Sequence, residues 1–451
     1  MSVTMTDPII HTRRSFLHRG IALVSGAATV PLFLDRTALA MSADDAPAAA
    51  KPGKDHPILV VIQLAGGNDG LNTLIPYRDD AYYRARPRIG IKKSEALRLT
   101  DDIGLNPAAE GFKKLFDAGQ LSIVQGVGYP NPNRSHFVAT DIWATGDPEQ
   151  RMHDGWLGRF LDCTCAGADP DPRGGIAITQ EVPLAMVGDR FSPVSFSTPG
   201  ELTWRSANGG ESRQSAFKSL NDASNSLTPE GEGRGEGAAG AKPNNADNAL
   251  AYLERVAMDA RASAAEIQRA AGGASNSPGA RIRAAQGGRR GGQLSQQLAM
   301  VRRMIAAGLP TRVYYVSMGG FDTHAQQPGR HTQLLRQLGD AMAGFINDLK
   351  SDGLLDRVLT MTFSEFGRRV AENASQGTDH GAAAPMFIAG SKVKAGILTP
   401  HPSLEARDLD RGDLQWKIDF RSVYADVLGK WLKVDADTIL GGKFNGLSII
   451  S

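Results

Sequence analysis

The sequence predicts an α/β fold built on a mainly parallel sheet sandwiched between helices. Three observations predict it. Ile58 to Leu64 is a nearly continuous apolar run ending at Gly66-Gly67, the pattern of a strand buried on both faces. Further short apolar runs alternate with helical stretches down the chain, as in a sheet wound with crossover helices. Polar ligand types cluster just after several of these runs, where the strand ends of an open α/β sheet gather.

The chain begins with an address. Thr12-Arg13-Arg14-Ser15-Phe16-Leu17 carries the twin arginine of Tat export, Gly20 to Leu34 is a short, weakly apolar stretch, and Ala38-Leu39-Ala40 offers a cleavage site. The apolar run falls short of the roughly 18 residues a spanning helix needs. Residues 1–40 therefore read as a Tat signal peptide and 41–54 as a flexible Ala/Asp/Pro/Lys-rich leader. The expected product is periplasmic or secreted, with the Tat translocase as its partner in export and no stable membrane span.

The full chain carries a formal charge of +2. Removal of the leader takes Arg13, Arg14, Arg19 and Arg36 away with Asp7 and Asp35, so the mature chain is formally neutral. A neutral chain is a poor electrostatic partner for nucleic acid. Cys163 and Cys165 are too few for a disulfide framework, and a ring closed across two residues is strained, so both read as thiols.

Residues 55–451 supply the α/β domain. After Ile58–Leu64, a helix fits Pro107 to Asp117 and a strand Leu121 to Gln125. Further strands fit Ile176–Ile178, Arg312–Ser317, Val358–Phe363 and Met386–Ala389, with helices at His331–Leu349 and Phe420–Leu432. The interval from about 206 to 292 differs: it is a low-complexity, partly helical insert. Ser219 to Asn245 and Gly272 to Gly292 have the composition of loops or solvated linkers. Between them, Asn248 to Ala271 suits a polar helix with Leu250, Leu253, Val256 and Ile267 on its buried stripe.

The candidate chemistry lies in the loops. Asp69 follows the first strand through Gly66-Gly67-Asn68, with Asn68 and Asn72 placed to orient it; an Asx turn is the bland alternative. Ser135 stands at the start of a helix beginning near His136, where backbone N–H groups favour an anion, and it is equally well placed as a helix cap. Asp322 and His324 follow the strand ending near Ser317 and can ligate one metal, or serve as one ligand and its support. Glu365 closes the strand ending at Phe363, and Arg368 can fork onto an oxyanion or pair with a carboxylate. Asp379 and His380 form a Gly-flanked pair before the last strand.

The ordered motifs Gly66-Gly67-Asn68-Asp69-Gly70, Asn133-Arg134-Ser135-His136, Gly155-Trp156-Leu157-Gly158-Arg159, Gly319-Gly320-Phe321-Asp322-Thr323-His324, Ser364-Glu365-Phe366-Gly367-Arg368 and Thr378-Asp379-His380-Gly381 resemble the Tat-exported family called domain of unknown function 1501, within the alkaline phosphatase and sulfatase superfamily. The resemblance covers nearly the whole mature chain outside the insert. It implies an alkaline-phosphatase-like sheet and a metal-bound site for phosphate or sulfate esters. Asp69, Asp322, His324 and His380 fall at metal-ligand positions, and Ser135 at that of the nucleophile. Where the superfamily usually carries Asp-His, this chain has Glu365-Phe366. One imidazole is thereby removed, and zinc, calcium, magnesium or manganese all stay open.

The resulting expectation is an exported, metal-dependent hydrolase of phosphate or sulfate esters, acting on a small-molecule ester or other anionic substrate. Asp69, Asp322, His324, Glu365, Asp379 and His380 would hold a divalent metal, Ser135 would attack, and His136 and Arg368 would transfer a proton or stabilise charge. The competing expectation is a non-catalytic exported binding or assembly protein on the same scaffold.

Overall fold

The computed structural model describes residues 56–164, 170–202, 263–272 and 278–451. The expected signal peptide and leader, most of the 206–292 insert and Cys165 lie outside the described residues. Cys163 is an exposed free thiol.

A nine-stranded sheet forms the centre. Its strands are β1 (Ile58–Leu64), β2 (Leu121–Gly128), β3 (Gly175–Ile178), β4 (Val194–Ser195), β5 (Val313–Met318), β6 (Val358–Phe363), β7 (Ala384–Ala389), β8 (Gly396–Ile397) and β9 (Ile418–Asp419). The order across the sheet is β8-β2-β7-β6-β1-β5-β3-β4, with β9 also pairing β2. Every pairing is parallel except those of β7, which runs antiparallel to both β6 and β2. The expected mainly parallel sheet is present, and β7 is the departure from it. A parallel neighbour needs a long crossover, usually a helix, whereas an antiparallel one can be reached by a loop. Between Phe363 and Ala384 the chain forms no helix, so β7 returns from the same sheet edge at which β6 ended.

Six principal helices cover the two faces: α1 (Glu110–Asp117), α2 (His136–Thr145), α3 (Trp156–Cys163), α4 (Pro278–Ala306), α5 (Gln327–Ser351) and α6 (Phe420–Asp426), which runs on as a π-helical turn over Val427–Leu432. Alternate residues of β1 serve different cores. Ile58, Val60, Ile62 and Leu64 join Phe112 of α1, Val301 of α4 and Leu338 and Met342 of α5 on one face. Leu59 and Val61 join Trp143 of α2, Trp156 and Phe160 of α3 and Tyr424 of α6 on the other. This two-sided burial is why β1 reads as nearly continuous apolar sequence rather than as alternation.

Two expectations about the insert meet structure. Residues 263–272 are helical, and Ile267 is fully buried, as its stripe requires. The stretch read as a solvated linker up to Gly292 is instead helical from Pro278, and the helix is interrupted at Gly292, whose φ of 67° is not helical. Ala, Arg and Gln are strong helix formers and supply enough of this stretch to offset its glycines. Among the described residues, no helix is long and apolar enough to cross a membrane.

Candidate metal centre

The register brings the functional loops to one edge. Leu64 of β1 pairs with Met318 of β5, Gln63 pairs with Phe363 of β6, and Val127 near the end of β2 pairs with Ala384 at the start of β7. Parallel strands leave the sheet there, and the antiparallel β7 enters there. The loops bearing Asp69, Ser135, Asp322, Glu365 and His380 therefore share a rim despite their separation in sequence. Close approach needs small residues. A Cβ on Gly66, whose φ is 118°, would sit 2.4 Å from the Asp322 nitrogen, and one on Gly377 would sit 2.2 Å from the His324 carbonyl oxygen.

Three imidazoles and one carboxylate converge. His324 Nε2 and His380 Nε2 lie 2.9 Å apart, and each is 3.1 Å from Asp322 Oδ1. His136 Nε2 lies 3.7 Å from Asp322 Oδ2. The ligand atoms of His136, Asp322 and His380 all fall within 4.8 Å of one another, a group able to hold a metal ion.

The other nitrogen of each ring fixes its tautomer. His136 Nδ1 meets Glu365 Oε1 at 2.8 Å, His324 Nδ1 meets Asp379 Oδ1 at 3.2 Å, and His380 Nδ1 meets the Arg134 carbonyl at 2.8 Å. A hydrogen bond from Asn373, working against burial and with help from His324, holds the Asp379 carboxyl below its usual range, so it is an ionised acceptor. All three partners are oxygens that accept, so in the neutral imidazole Nδ1 carries the proton and Nε2 bears the lone pair. Three lone pairs then face one carboxylate. This carboxylate- or carbonyl-to-histidine arrangement is how proteins orient metal-binding imidazoles. Nitrogen and oxygen ligands about 2.0–2.1 Å from a tetrahedral zinc stand roughly 3.3 Å apart; His324, His380 and Asp322 lie slightly closer than that, at 2.9–3.1 Å, and His136 slightly farther, at 3.7 Å from Asp322.

Asp322 is the hub. Burial pushes its carboxyl up, but the hydrogen bond and charge of Arg368, with the neighbouring His380 and His324, outweigh burial and bring it down to about 2. Arg368 is almost fully buried and donates to the carbonyls of Gly66, Gly67, Phe321 and Thr378 as well as to Asp322 Oδ1 at 2.8 Å. These bonds engage all three guanidinium nitrogens. Of the two roles expected for Arg368, oxyanion fork or carboxylate partner, the structure shows the second: it pairs with Asp322 and rivets three site loops.

Glu365 is also buried, 2 % exposed, and its Oε1 accepts from Gly66 N at 2.8 Å as well as from His136. It stands behind His136 rather than within the cluster, and Asp379 stands in the same relation to His324. The imidazole that sequence reasoning found missing beside Glu365 comes instead from His136, across the sheet edge.

Asp69 is not brought to this group. It is fully buried, its Oδ2 pairs with Arg86 Nη1 at 2.6 Å and takes a hydrogen bond from Gln327, and its Oδ1 caps Leu71 and Asn72. Burial alone would raise its carboxyl; the charge and hydrogen bond of Arg86, with His331 and Gln327, bring it below the usual range. Asn72 does support Asp69, by accepting from Arg86 Nη1 at 2.8 Å. The first-strand carboxylate thus anchors the rim from inside.

Ser135 occupies the N-cap position of α2 in extended backbone, is exposed, and makes no side-chain cap bond. Its backbone N–H donates to Asn133 Oδ1 at 2.8 Å. It is flanked by Arg134, whose carbonyl holds His380, and by His136, whose ring reaches Glu365. Its hydroxyl is free of structural duty beside the cluster.

Two supporting residues escaped the sequence. Arg86 sits in a stretch without a site motif. Gln327, three residues after His324, accepts from Thr323 Oγ1 at 3.0 Å and Thr378 Oγ1 at 2.6 Å while donating to Asp69. It therefore joins the Asp322-Thr323-His324 and Thr378-Asp379-His380 loops, and only its closeness to His324 in sequence hinted at that. His331, the first residue of the helix expected over His331–Leu349, lies on α5 with Nε2 3.0 Å from Asn68 Oδ1.

A family model described as "Protein of unknown function (DUF1501)" matches residues 57–440. No curated protein matches the chain. Among solved structures, the chain is similar to the PsFucS1 sulfatase from Pseudoalteromonas sp., with 13% identity and a TM-score of 0.36 over 88% of this chain and 72% of that one. It is also similar to the lipoteichoic acid synthase LtaP from Listeria monocytogenes, with 8% identity and a TM-score of 0.28 over 79% and 70% of the two chains. A mutant of alkaline phosphatase PafA matches with 11% identity and a TM-score of 0.30 over 72% and 64%. At such scores no activity transfers.

Proposed function

Because the chain belongs to the DUF1501 family, whose description assigns no activity, we propose its function from the site itself: an exported, metal-dependent hydrolase of phosphate or sulfate esters. The observation that carries this reading is the convergence of three Nε2 lone pairs on the Asp322 carboxylate, each ring fixed from behind by an oxygen acceptor. A cation among them would be shared by all of these acceptor atoms at once. His136, His324, His380 and Asp322 would hold it. This imidazole-rich set favours zinc or a similar transition metal over calcium or magnesium, which take oxygen ligands. Bound there, a divalent ion supplies Lewis-acid charge stabilisation to the ester oxygens.

The chain's own residues do the rest. Ser135 presents an unengaged hydroxyl at the start of a ten-residue helix, where free N–H groups and the helix dipole favour an anionic ester group. Its oxygen attacks phosphorus or sulfur, the alcohol departs with a proton, and water then cleaves the seryl ester to regenerate the hydroxyl. Glu365 keeps His136 in the tautomer that turns Nε2 to the site. Arg368 fixes Asp322, and Gln327 keeps the two histidine loops in register.

Elemental analysis of the purified chain, with assays on aryl phosphates and aryl sulfates, tests the reading. The expected result is stoichiometric metal with turnover lost on chelation. A metal-loaded protein inert toward both ester classes would favour the non-catalytic binding role.

A further inference from the structure

Beside Ser135 lies a cleft of about 600 Å³, within the size range of small-molecule sites. One wall is the loop that leads into Ser135, with Asn131, Asn133 and Arg134; the other carries Asp410, Arg411 and Trp416. The second wall is a hairpin of Leu409–Asp410 and Asp413–Leu414. An ion pair between Arg134 and the buried Asp413 joins the walls, and Arg369, next to Arg368, donates to the Arg411 carbonyl at 2.9 Å. The cleft is thereby tied to the candidate metal centre through both the serine loop and the arginine loop.

The hairpin turn carries a residue its backbone does not favour. Arg411 and Gly412 both have positive φ, 54° and 93°, the arrangement of a primed two-residue turn. The first central position of such turns prefers Asn, Asp or Gly. An arginine there bears backbone strain, which collects at functional loops. Its side chain is 87% exposed and only loosely held, 3.5 Å from Asp410. Across the cleft, Asn131 is another non-glycine residue at positive φ, 54°. Asn133 gives its carbonyl oxygen to Ser135 N–H, and its amide NH2 is left for a ligand.

We infer that this cleft binds the alcohol half of the ester and that this half is a saccharide, an inference that rests on the ester-hydrolase reading. Arg134, the residue before Ser135, lines the cleft, which places its occupant next to the serine loop. Trp416 lines the cleft, and an indole is a flat amphipathic group suited to the C–H face of a sugar ring. Asn131, Asn133, Asp410 and Arg411 offer the paired donors and acceptors that neighbouring hydroxyls require. Apart from Trp416 and two prolines these walls are polar, which suits a polyol better than a lipid or an apolar peptide.

Arg411→Gly is the informative variant, because glycine relieves the turn while removing the guanidinium; Trp416→Ala is its companion. The full mature chain is assayed on hexose phosphates and sulfates and on p-nitrophenyl esters of the same acids. The expected result is a fall in kcat/KM of at least tenfold on the sugar esters and less than twofold on the aryl esters. Equal losses on both classes, or no loss on either, would overturn the inference. A larger effect of Trp416→Ala on nucleoside monophosphates than on hexose phosphates would also overturn it, in favour of a base stacked on the indole. If no ester of any class is turned over, the hydrolase reading fails by itself. Binding of neutral oligosaccharides, followed by tryptophan fluorescence and weakened in Arg411→Gly, then decides the cleft independently, and its absence would sink the inference.

Discussion

His136 Nδ1 and Glu365 Oε1 meet at 2.8 Å across 229 residues of chain. Glu365 also accepts from the Gly66 backbone N–H, so the carboxylate is fixed by the end of β1 before it fixes the ring. The consequence is directional: His136 turns Nε2 toward Asp322. Glu365→Gln keeps the shape but can present an N–H where the carboxylate accepted, and it should weaken metal binding by 10–100-fold. Competition with a chromogenic chelator measures this; unchanged affinity would remove Glu365 from the site.

Asp322→Ala or His380→Ala should abolish metal retention in a protein that still folds. Both side chains lie at the rim, partly exposed, and neither fills a core cluster. Elemental analysis after dialysis reads the outcome, with circular dichroism confirming the fold. Full metal content in either variant would reject the proposed ligand set.

Ser135→Ala should eliminate ester turnover and leave both metal content and stability nearly unchanged. The hydroxyl makes no cap bond, so the loss should stay below the roughly 1 kcal/mol typical of a working N-cap. Activity that ignores the substitution would point to direct attack by water.

Asp69→Ala should be costly in another way. It leaves Arg86 buried without its carboxylate, and breaking a buried pair from one side costs about 3–5 kcal/mol. Urea denaturation should show that loss while the remaining folded protein keeps its metal. Metal loss from fully folded Asp69→Ala would return Asp69 to the ligand set.

Stability should fall in mild acid because of His331. Burial lowers its pKa from 6.5 to about 4; the charge of Asp69 opposes this, while Arg86 and Arg368 reinforce it. Between these values the unfolded chain binds a proton that the folded chain refuses. The contribution is therefore complete above about pH 6.5 and is lost as pH falls toward 4, by at most about 3 kcal/mol. Urea midpoints at pH 7.5 and 4.5 should diverge more in the parent than in His331→Gln; equal divergence would sink the assignment.

Export should require the twin arginine. Replacing Arg13 and Arg14 with lysine should leave the precursor in the cytoplasm, as fractionation and immunoblotting would show. Undiminished export of that variant would reject the Tat route.

The sequence by itself determined the sheet's principal strands, because burial on both faces writes itself as nearly continuous apolar runs such as Ile58–Leu64, broken only by Gln63. It also marked the loops in which the chemistry lies, since Asp, His and Ser beside glycine at strand ends are local signals. It did not determine what each side chain does there. Asp69 and Asp322 look alike in sequence, each following a Gly-Gly pair near a strand end. Arg86, in a stretch without a motif, claims the first, while two histidines close on the second. Arg368 read as an oxyanion fork or a carboxylate partner until five acceptors from three loops surrounded its guanidinium. The reversal of β7, which delivers His380 to the same edge as His324, is likewise silent in local composition. Ligand roles depend on which atoms meet across hundreds of residues, and only the tertiary register of the sheet decides that.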